Sequence, residues 1–301
     1  MTGTAKKNTS LIGIALMIAA MLVLPFLDVI AKHLGQQNVP IIQIVWARLF
    51  FGMLMTAPFV VQAEGLYGLI PQRPLIHGIR AVLLITATGL FFWALKFQGL
   101  AETLAIFFVQ PLIITMLSPL VLGEKVGIRR WLAVAVGFTG TLIIIRPGFQ
   151  SITPGVLMAL GAGAAIAVYM LLTRKLASHQ SAMPAIFHTS LFGASFASFA
   201  VALFWKPPTV EQWGFFLLLS VVATIGNYLI ARAYDHAEAS LLAPLGYTEM
   251  IMAVTAGWYF FGDFPDVWTF VGVGILIACA IYISYRESAR KIPLPPLEPA
   301  P

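Results

Sequence analysis

Apolar residues run along this chain in ten long segments, separated by short stretches that carry glycine, proline and charge. A helix needs about 20 apolar residues to cross the hydrocarbon core of a bilayer. The pattern therefore predicts ten transmembrane helices. We place them at residues 10–31, 41–61, 74–95, 101–121, 130–146, 154–173, 183–205, 213–232, 239–261 and 266–285.

The composition supports an all-α integral membrane protein. Of 301 residues, 59% are hydrophobic and only 10% are charged, whereas a soluble globular domain carries roughly 25% charged residues. Such a chain cannot cover a surface that faces water, which excludes a cytosolic enzyme, a disordered chain and a disulfide scaffold. We expect the proline-rich tail, 287–301, to be disordered.

The net charge of +6 indicates membrane topology rather than a nucleic-acid partner, because the basic residues are spread thinly between apolar segments. With the N-terminus in the cytoplasm, Arg48 and Arg80 lie within segments and most other Lys and Arg residues fall in inner loops and tails. The outer loops hold four: Lys32, Lys96, Arg146 and Lys206. The positive-inside rule therefore predicts an inner-membrane protein with both termini cytoplasmic.

The two halves of the chain resemble each other, which predicts an internal repeat with one copy in 1–147 and the other in 148–286. Trp131 and Trp268 match at a spacing of 137 residues, and Gly123-Glu124 corresponds to Gly262-Asp263 after a two-residue shift. Near the start of each copy, Lys32 corresponds to Arg174.

Each copy contains five predicted helices, an odd number, so the second copy must enter the membrane upside down relative to the first. Inverted repeats of this kind accompany alternating access, with the substrate site between the halves near the midplane of the membrane. The residues alone thus favour a carrier.

The chain resembles EamA-type members of the drug/metabolite transporter superfamily from Leu11 to Arg286. The residues that carry this resemblance are Ala94-Leu95, Ala101-Glu102-Thr103, Pro111, Leu122-Gly123-Glu124, Trp131, Gly137 and Gly140 in the first copy, and Arg232-Ala233-Tyr234, Ala237, Ala239 and Gly262-Asp263 in the second. The second copy departs from the pattern by having Thr248 in place of Pro111.

The resemblance implies a secondary transporter of small organic metabolites in a bacterial inner membrane, without a cofactor, working as a monomer or homodimer. Members of this superfamily export amino acids and drugs or take up riboflavin or S-adenosylmethionine, so the fold does not fix the substrate. The chain has no Walker A motif and no zinc-protease motif, and its single cysteine, Cys279, cannot pair within the chain.

Ionisable side chains inside apolar segments are costly and therefore mark candidate sites. Glu249 lies near the middle of the ninth segment, where a carboxylate favours its protonated form. We predict a proton-coupling or substrate-amine role for it, with a structural hydrogen bond as the alternative. Asp28 and Arg48 have similar depths in the first two segments. They form either a substrate contact or a structural ion pair.

Other polar and aromatic residues have simpler interpretations. We expect Arg80 to extend to the lipid headgroups, and His188 to satisfy a backbone carbonyl. Trp46, Tyr169, Tyr228 and Tyr247 are candidates to line a central cavity, where the three tyrosines offer a hydroxyl as well as a ring. Pro25, Pro111 and Pro244 interrupt segments, most simply as kinks.

Two other functional classes stay open at this point. An integral-membrane enzyme that acts on lipid-linked substrates needs clustered polar residues, and the loops here are short. A channel is commonly assembled around an oligomer axis, whereas an inverted repeat within one chain favours a carrier. For a carrier, H⁺ is a candidate coupling ion.

Overall fold

The computed structural model describes residues 2–123, 127–147, 153–176, 182–237 and 239–290, and helices make up most of this part of the chain. Two 3-10 turns cover Leu66–Leu69 and Ala243–Tyr247. The α-helices are α1 Thr2–Gln36, α2 Ile41–Glu64, α3 Pro74–Ala94, α4 Leu100–Phe107, α5 Gln110–Leu122, α6 Ile128–Ile145, α7 Pro154–Leu176, α8 Ala182–Phe204, α9 Val210–His236, α10 Ala239–Leu242, α11 Thr248–Phe261 and α12 Val267–Arg290.

Within the described residues, seven stretches are long and apolar enough to cross a membrane, and two shorter apolar helices cover Trp131–Ile145 and Val267–Cys279. Large apolar side chains such as Leu120, Phe199 and Tyr259 are mostly exposed on the outside of the bundle. An apolar exterior on this scale fits a lipid environment. The multi-pass helical membrane fold is confirmed, while the count of ten spans stays a prediction.

The fourth and ninth predicted segments are not kinked helices but broken ones. The fourth is divided into α4 and α5 at Phe108 and Val109, and Pro111 lies in the first turn of α5, where its missing N–H removes no helical hydrogen bond. The ninth is divided into α10, the 3-10 turn Ala243–Tyr247 and α11. Thr248 thus permits the same break that Pro111 makes in the first copy. By contrast, α1 continues through Pro25.

The glycines of the repeat signature end equivalent helices. Gly123 caps α5 with φ +70°, and Gly262 caps α11 with φ +71°. A residue with a Cβ rarely adopts this left-handed conformation, which explains why glycine stands at both positions. Glu124, the other residue of the first signature, lies outside the described residues.

The helices of the two copies are interleaved. α1 packs against α9 as its equivalent α7 packs against α3, whereas α2 packs against α8 and α6 against α12. The pattern is symmetric: if each helix is replaced by its equivalent in the other copy, the same pairs of helices are in contact. The two helix breaks also meet, because the rings of Phe108 and Tyr247 lie 4.9 Å apart. Each of these two residues is 15 positions before the capping glycine of its copy.

We call the two ends of the bundle the Lys32 end and the Arg80 end. At the Lys32 end lie the loops 37–40, 95–99, 205–209 and 262–266 and the end of α6. At the Arg80 end lie the turn Leu66–Leu69 and the beginnings of α3 and α8.

Candidate functional site

A cavity of about 180 Å³ lies between the two copies of the repeat. Its walls are α2 and α3 of the first copy and α7, α8 and α9 of the second. It lies nearer the Arg80 end, since the second halves of α7 and α9 and the first half of α8 form most of the wall. The lining residues are Arg48, Leu49, Gly52, Thr56, Leu84, Ile166, Tyr169, Met170, Met183, Ile186, Thr189, Ser190, Ala223, Thr224, Asn227 and Tyr228.

Three residues singled out from the sequence lie in this wall: Arg48, Tyr169 and Tyr228. Arg48 is the charged residue among the described lining residues, and its Nη1 donates a hydrogen bond to Thr88 Oγ1 at 2.9 Å. The two tyrosines add rings and hydroxyl groups to a wall that is otherwise mostly aliphatic. A pocket with an apolar lining and a few placed polar groups is typical of a small-molecule site.

The two candidate carboxylates are not among the described lining residues. Asp28 is only 7% exposed and lies within electrostatic range of both Arg48 and Glu249. Glu249 is half-buried in the first turn of α11, directly after the helix break. Ion pairs among the described residues include Lys32–Asp263, Arg146–Asp266 and Arg232–Asp235, and no such pair is described for Asp28 or Arg48. Asp28 and Arg48 therefore interact through space rather than as a direct pair.

Arg80 does not extend to the headgroups, so that expectation is wrong. Its side chain is 1% exposed. Its Nε donates to Thr173 Oγ1 at 3.1 Å and its Nη2 to Tyr169 Oη at 3.3 Å. Its Nη1 lies 3.3 Å from His77 Nδ1 and 3.5 Å from the carbonyl oxygen of Ala185. Packing of α7 and α8 over this face of α3 keeps Arg80 inside the bundle and replaces water with hydrogen-bond partners.

The prediction for His188 is confirmed, because its Nε2 lies 2.9 Å from the carbonyl oxygen of Gly68. The ring of His188 also contacts that of His77 edge to face, with centroids 5.0 Å apart. These contacts join α8 to α3 and to the turn Leu66–Leu69 at the Arg80 end.

Trp46 and Tyr247 are not among the residues that line this cavity. Trp46 donates from Nε1 to Ser198 Oγ at 2.9 Å and stacks on Phe50. Tyr247 is 8% exposed and packs against Phe108 at the two helix breaks. A role of either residue in substrate binding stays a prediction.

An ion pair joins the two copies at the Lys32 end. Lys32 Nζ is paired with Asp263 Oδ2, donates to the carbonyl oxygen of Gln98 at 3.1 Å and lies 4.9 Å from the centre of the Phe261 ring. With 9% exposure, the lysine is nearly covered. The interaction was not predicted, because the sequence shows Asp263 in a loop without Lys or Arg of its own. The positive partner comes from α1.

A second ion pair lies beside the first, between Arg146 and Asp266. Asp266 also accepts hydrogen bonds from the backbone N–H and the hydroxyl of Thr269, at 2.9 and 2.8 Å, at the start of α12. Partial burial opposes the charged carboxylate, but the bonds from Thr269 and the Arg146 guanidinium outweigh it and lower the pKa of Asp266.

Hydrogen bonds between uncharged groups also join the two copies at the Lys32 end. Gln43 and the backbone of Lys206 exchange two hydrogen bonds of 2.9 and 3.2 Å, and Gln212 Nε2 donates to Gln37 Oε1 at 3.0 Å. Each contact joins the first copy to the second. We call the whole set, with the two ion pairs, the Lys32-end closure.

The cavity also contains polar groups that sequence reasoning missed, notably Ser190 and Asn227. Uncharged polar residues are common in apolar segments and gave no separate signal. Among the described residues, no three His, Cys, Asp or Glu side chains converge in a way that could hold a metal ion.

The comparison with protein families decides the identity. The profile of the EamA-like transporter family matches residues 11–146 and 153–285, which is nearly the whole chain in two repeats. This chain belongs to the EamA-like transporter family. The signature glycines at the ends of α5 and α11 fall one in each matched repeat.

Relatives of this transporter include proteins named for three different cargoes. It is 26% identical to an S-adenosylmethionine uptake transporter of Rickettsia bellii, over 86% of this chain and 89% of that one. It is 26% identical to a riboflavin transporter of Vibrio cholerae (94% and 96% covered) and to a pseudopaline exporter of Pseudomonas aeruginosa (89% and 94%). A crystal structure 17% identical to it shares the fold, with a TM-score of 0.65 and 95% and 99% of the chains covered.

Proposed function

We propose that this protein is a secondary transporter that moves a small organic metabolite across the bacterial inner membrane by alternating access. The observation that carries the proposal is the cavity between the two copies, together with the contacts from one copy to the other that close the more distant, Lys32 end. A carrier of this kind exposes its central site to one side of the membrane at a time.

The distribution of Lys and Arg assigns each end of the bundle to one side of the membrane. The positive-inside rule puts the Arg80 end in the cytoplasm and the Lys32 end outside, with both termini cytoplasmic. On this assignment, the Lys32-end closure separates the cavity from the outer face. Transport then requires this closure to open and the copies to approach further at the Arg80 end, where Arg80–Thr173 and His188–Gly68 contacts already join them.

The relatives' names differ in cargo and in direction, so they support a class of substrate rather than one compound. S-adenosylmethionine, riboflavin and amino acids are the candidates. The cavity of about 180 Å³ is smaller than the ~300–1,000 Å³ typical of small-molecule pockets. A nucleoside-sized cargo therefore requires the surrounding helices to separate.

We infer that proton coupling, if the flux has it, runs through Asp28 and Glu249. The two carboxyl groups lie within electrostatic range of each other, and ionisable side chains inside a membrane span are candidates for proton transfer. Counted from the capping glycines, the position equivalent to Glu249 in the first copy is Gln110, and counted by the 137-residue spacing of the repeat it is Leu112; neither side chain can titrate. The ionisable group thus belongs to one of the two helix breaks only.

The experiment is flux of labelled S-adenosylmethionine, riboflavin and an amino-acid mixture into proteoliposomes, with and without a pH gradient. We expect saturable flux, and Glu249→Gln to abolish its pH dependence while the protein inserts normally. Glu211→Gln is the matched control, because Glu211 also lies in the first turn of a helix but is exposed.

Three results would contradict parts of this proposal. Unchanged pH dependence in Glu249→Gln removes Glu249 from the coupling role. Flux that neither saturates nor responds to a gradient indicates a channel. Turnover of a lipid without flux indicates an enzyme.

A further inference from the structure

Among the described lining residues, Arg48 offers an incoming solute a positive charge. Arg48 is half-buried, and the hydrogen bond described for its guanidinium uses Nη1 alone, at 2.9 Å from Thr88 Oγ1. A guanidinium has five N–H donors in a planar fork. The remaining donors of Arg48 are thus available to an acceptor in the cavity, and a carboxylate fits such a fork with two parallel hydrogen bonds.

The second arginine near the cavity is not available in this way. All three guanidinium nitrogens of Arg80 have partners within the protein, among them Tyr169 and Thr173. Arg80 is also fully buried behind Tyr169, which separates it from the cavity. The wall therefore matches a single negative charge better than a phosphate dianion, which needs more than one free cation.

Asp28 is an acidic neighbour of Arg48. It lies within electrostatic range of Arg48 but is not directly paired with it among the described contacts. A solute carboxylate that binds Arg48 competes with Asp28 for the same positive charge. Binding at this position therefore gives the Arg48 guanidinium a directly hydrogen-bonded counter-charge.

On these grounds we propose that the cavity selects solutes that carry a free carboxylate, which Arg48 binds through its unoccupied N–H groups. This inference rests on the proposed transport function and narrows its substrate class. Amino acids and S-adenosylmethionine carry such a group, whereas riboflavin does not.

The test compares pairs of probes that differ in the carboxylate alone, by thermal stabilisation of the purified full-length protein. The pairs are S-adenosylmethionine with its decarboxylated form and L-methionine with its amide, while riboflavin and riboflavin 5′-phosphate test a neutral ring and a phosphate. We expect at least one carboxylate probe to bind roughly 10- to 100-fold more tightly than its partner, the range for a hydrogen-bonded charge pair.

Variants assign the preference to Arg48. Arg48→Gln should bind both members of a pair equally weakly, and Arg48→Lys, which keeps the charge but loses the planar fork, should retain part of the preference. Arg232→Gln is the matched control, because Arg232 is exposed and pairs with Asp235 on its own helix.

Several outcomes overturn the inference. They are equal binding of both members of each pair, an unchanged preference in Arg48→Gln, and a gain from the phosphate that depends on Arg48. Normal transport by the swapped variant Asp28→Arg with Arg48→Asp also overturns it, since the pair is then structural. If wild-type protein moves other solutes but binds no carboxylate probe, this inference alone fails, and if it moves no solute the proposed function fails as well.

Discussion

Lys32 of α1 is ion-paired with Asp263 of the loop between α11 and α12, and so connects the first copy of the repeat to the second. The lysine also binds the carbonyl oxygen of Gln98 and is nearly covered by its neighbours. A covered lysine depends on its counter-charge much more than an exposed one does. This contact is therefore the part of the Lys32-end closure most sensitive to substitution.

We predict that Asp263→Asn weakens the closure at a cost of about 2 kcal/mol, the scale for a hydrogen bond to a charged group. Hydrogen–deuterium exchange should increase in the last turns of α1 and α11, because these segments separate more often. Asp235→Asn, which breaks an exposed ion pair within α9, is the control and should leave that exchange unchanged. Equal exchange in Asp263→Asn and wild type would show that the pair does not hold the end closed.

Replacement of Arg80 by alanine should destabilise the protein strongly. The substitution removes the donor to Thr173 Oγ1 and to Tyr169 Oη and leaves an unfilled space where the buried guanidinium lay. We expect a loss of roughly 2–4 kcal/mol, seen as a clearly lower midpoint of thermal unfolding in detergent. Arg73→Ala, at the exposed start of α3, should change the midpoint little. Similar midpoints for the two variants would contradict a structural role of Arg80.

Two glycines of α12 should respond oppositely to alanine. A Cβ at Gly272 meets Ile144 Cγ1 at 2.4 Å and the carbonyl oxygen of Gly140 at 2.6 Å, whereas a Cβ at Gly274 meets nothing within 4 Å. Gly272→Ala should force α6 and α12 apart and cost about 1–3 kcal/mol. Gly274→Ala should be neutral or stabilise by up to about 1 kcal/mol through helix propensity. Unfolding midpoints of the two variants check this, and a stable Gly272→Ala would contradict the close packing.

The stability contributed by the charge of Asp266 should depend on pH. Its pKa is lowered in the folded protein, so the unfolded chain binds the proton more readily and the charge stabilises the fold above the ordinary value of 3.8. This contribution is lost as pH falls further, through the lowered pKa. Asp266→Asn can still cap α12 but carries no charge. The difference in unfolding midpoint between wild type and this variant should therefore shrink below 3.8, and a difference that grows there would contradict the assignment.

The sequence was sufficient for the helices and the family because both depend on local patterns. Runs of apolar residues, and the glycines at positions 123 and 262, identify the segments and their ends without knowledge of packing. The breaks in the fourth and ninth segments were underestimated as kinks. A proline marks where a helix is disrupted, but the helices packed around it determine whether the disruption is a kink or a complete break.

The candidate site was harder to predict because depth along a helix does not tell which way a side chain faces. Trp46 and Arg48 have nearly the same depth, but two residues along a helix are about 200° apart. Arg48 consequently faces the cavity while Trp46 faces α8. Arg80 shows the same limitation. Its place near the beginning of α3 was predicted correctly, but the sequence does not reveal that α7 and α8 cover it.

The contact of Phe108 with Tyr247 has a consequence for the balance between the two orientations of a carrier. If the copies exchange conformations during a transport cycle, each ring takes over the surroundings that the other has left. The side chains of Phe108 and Tyr247 are not equivalent there, because only the tyrosine has a hydroxyl group that needs a hydrogen-bond acceptor. The inward-facing and outward-facing forms then differ in free energy even without cargo, and an unloaded carrier rests on one preferred side.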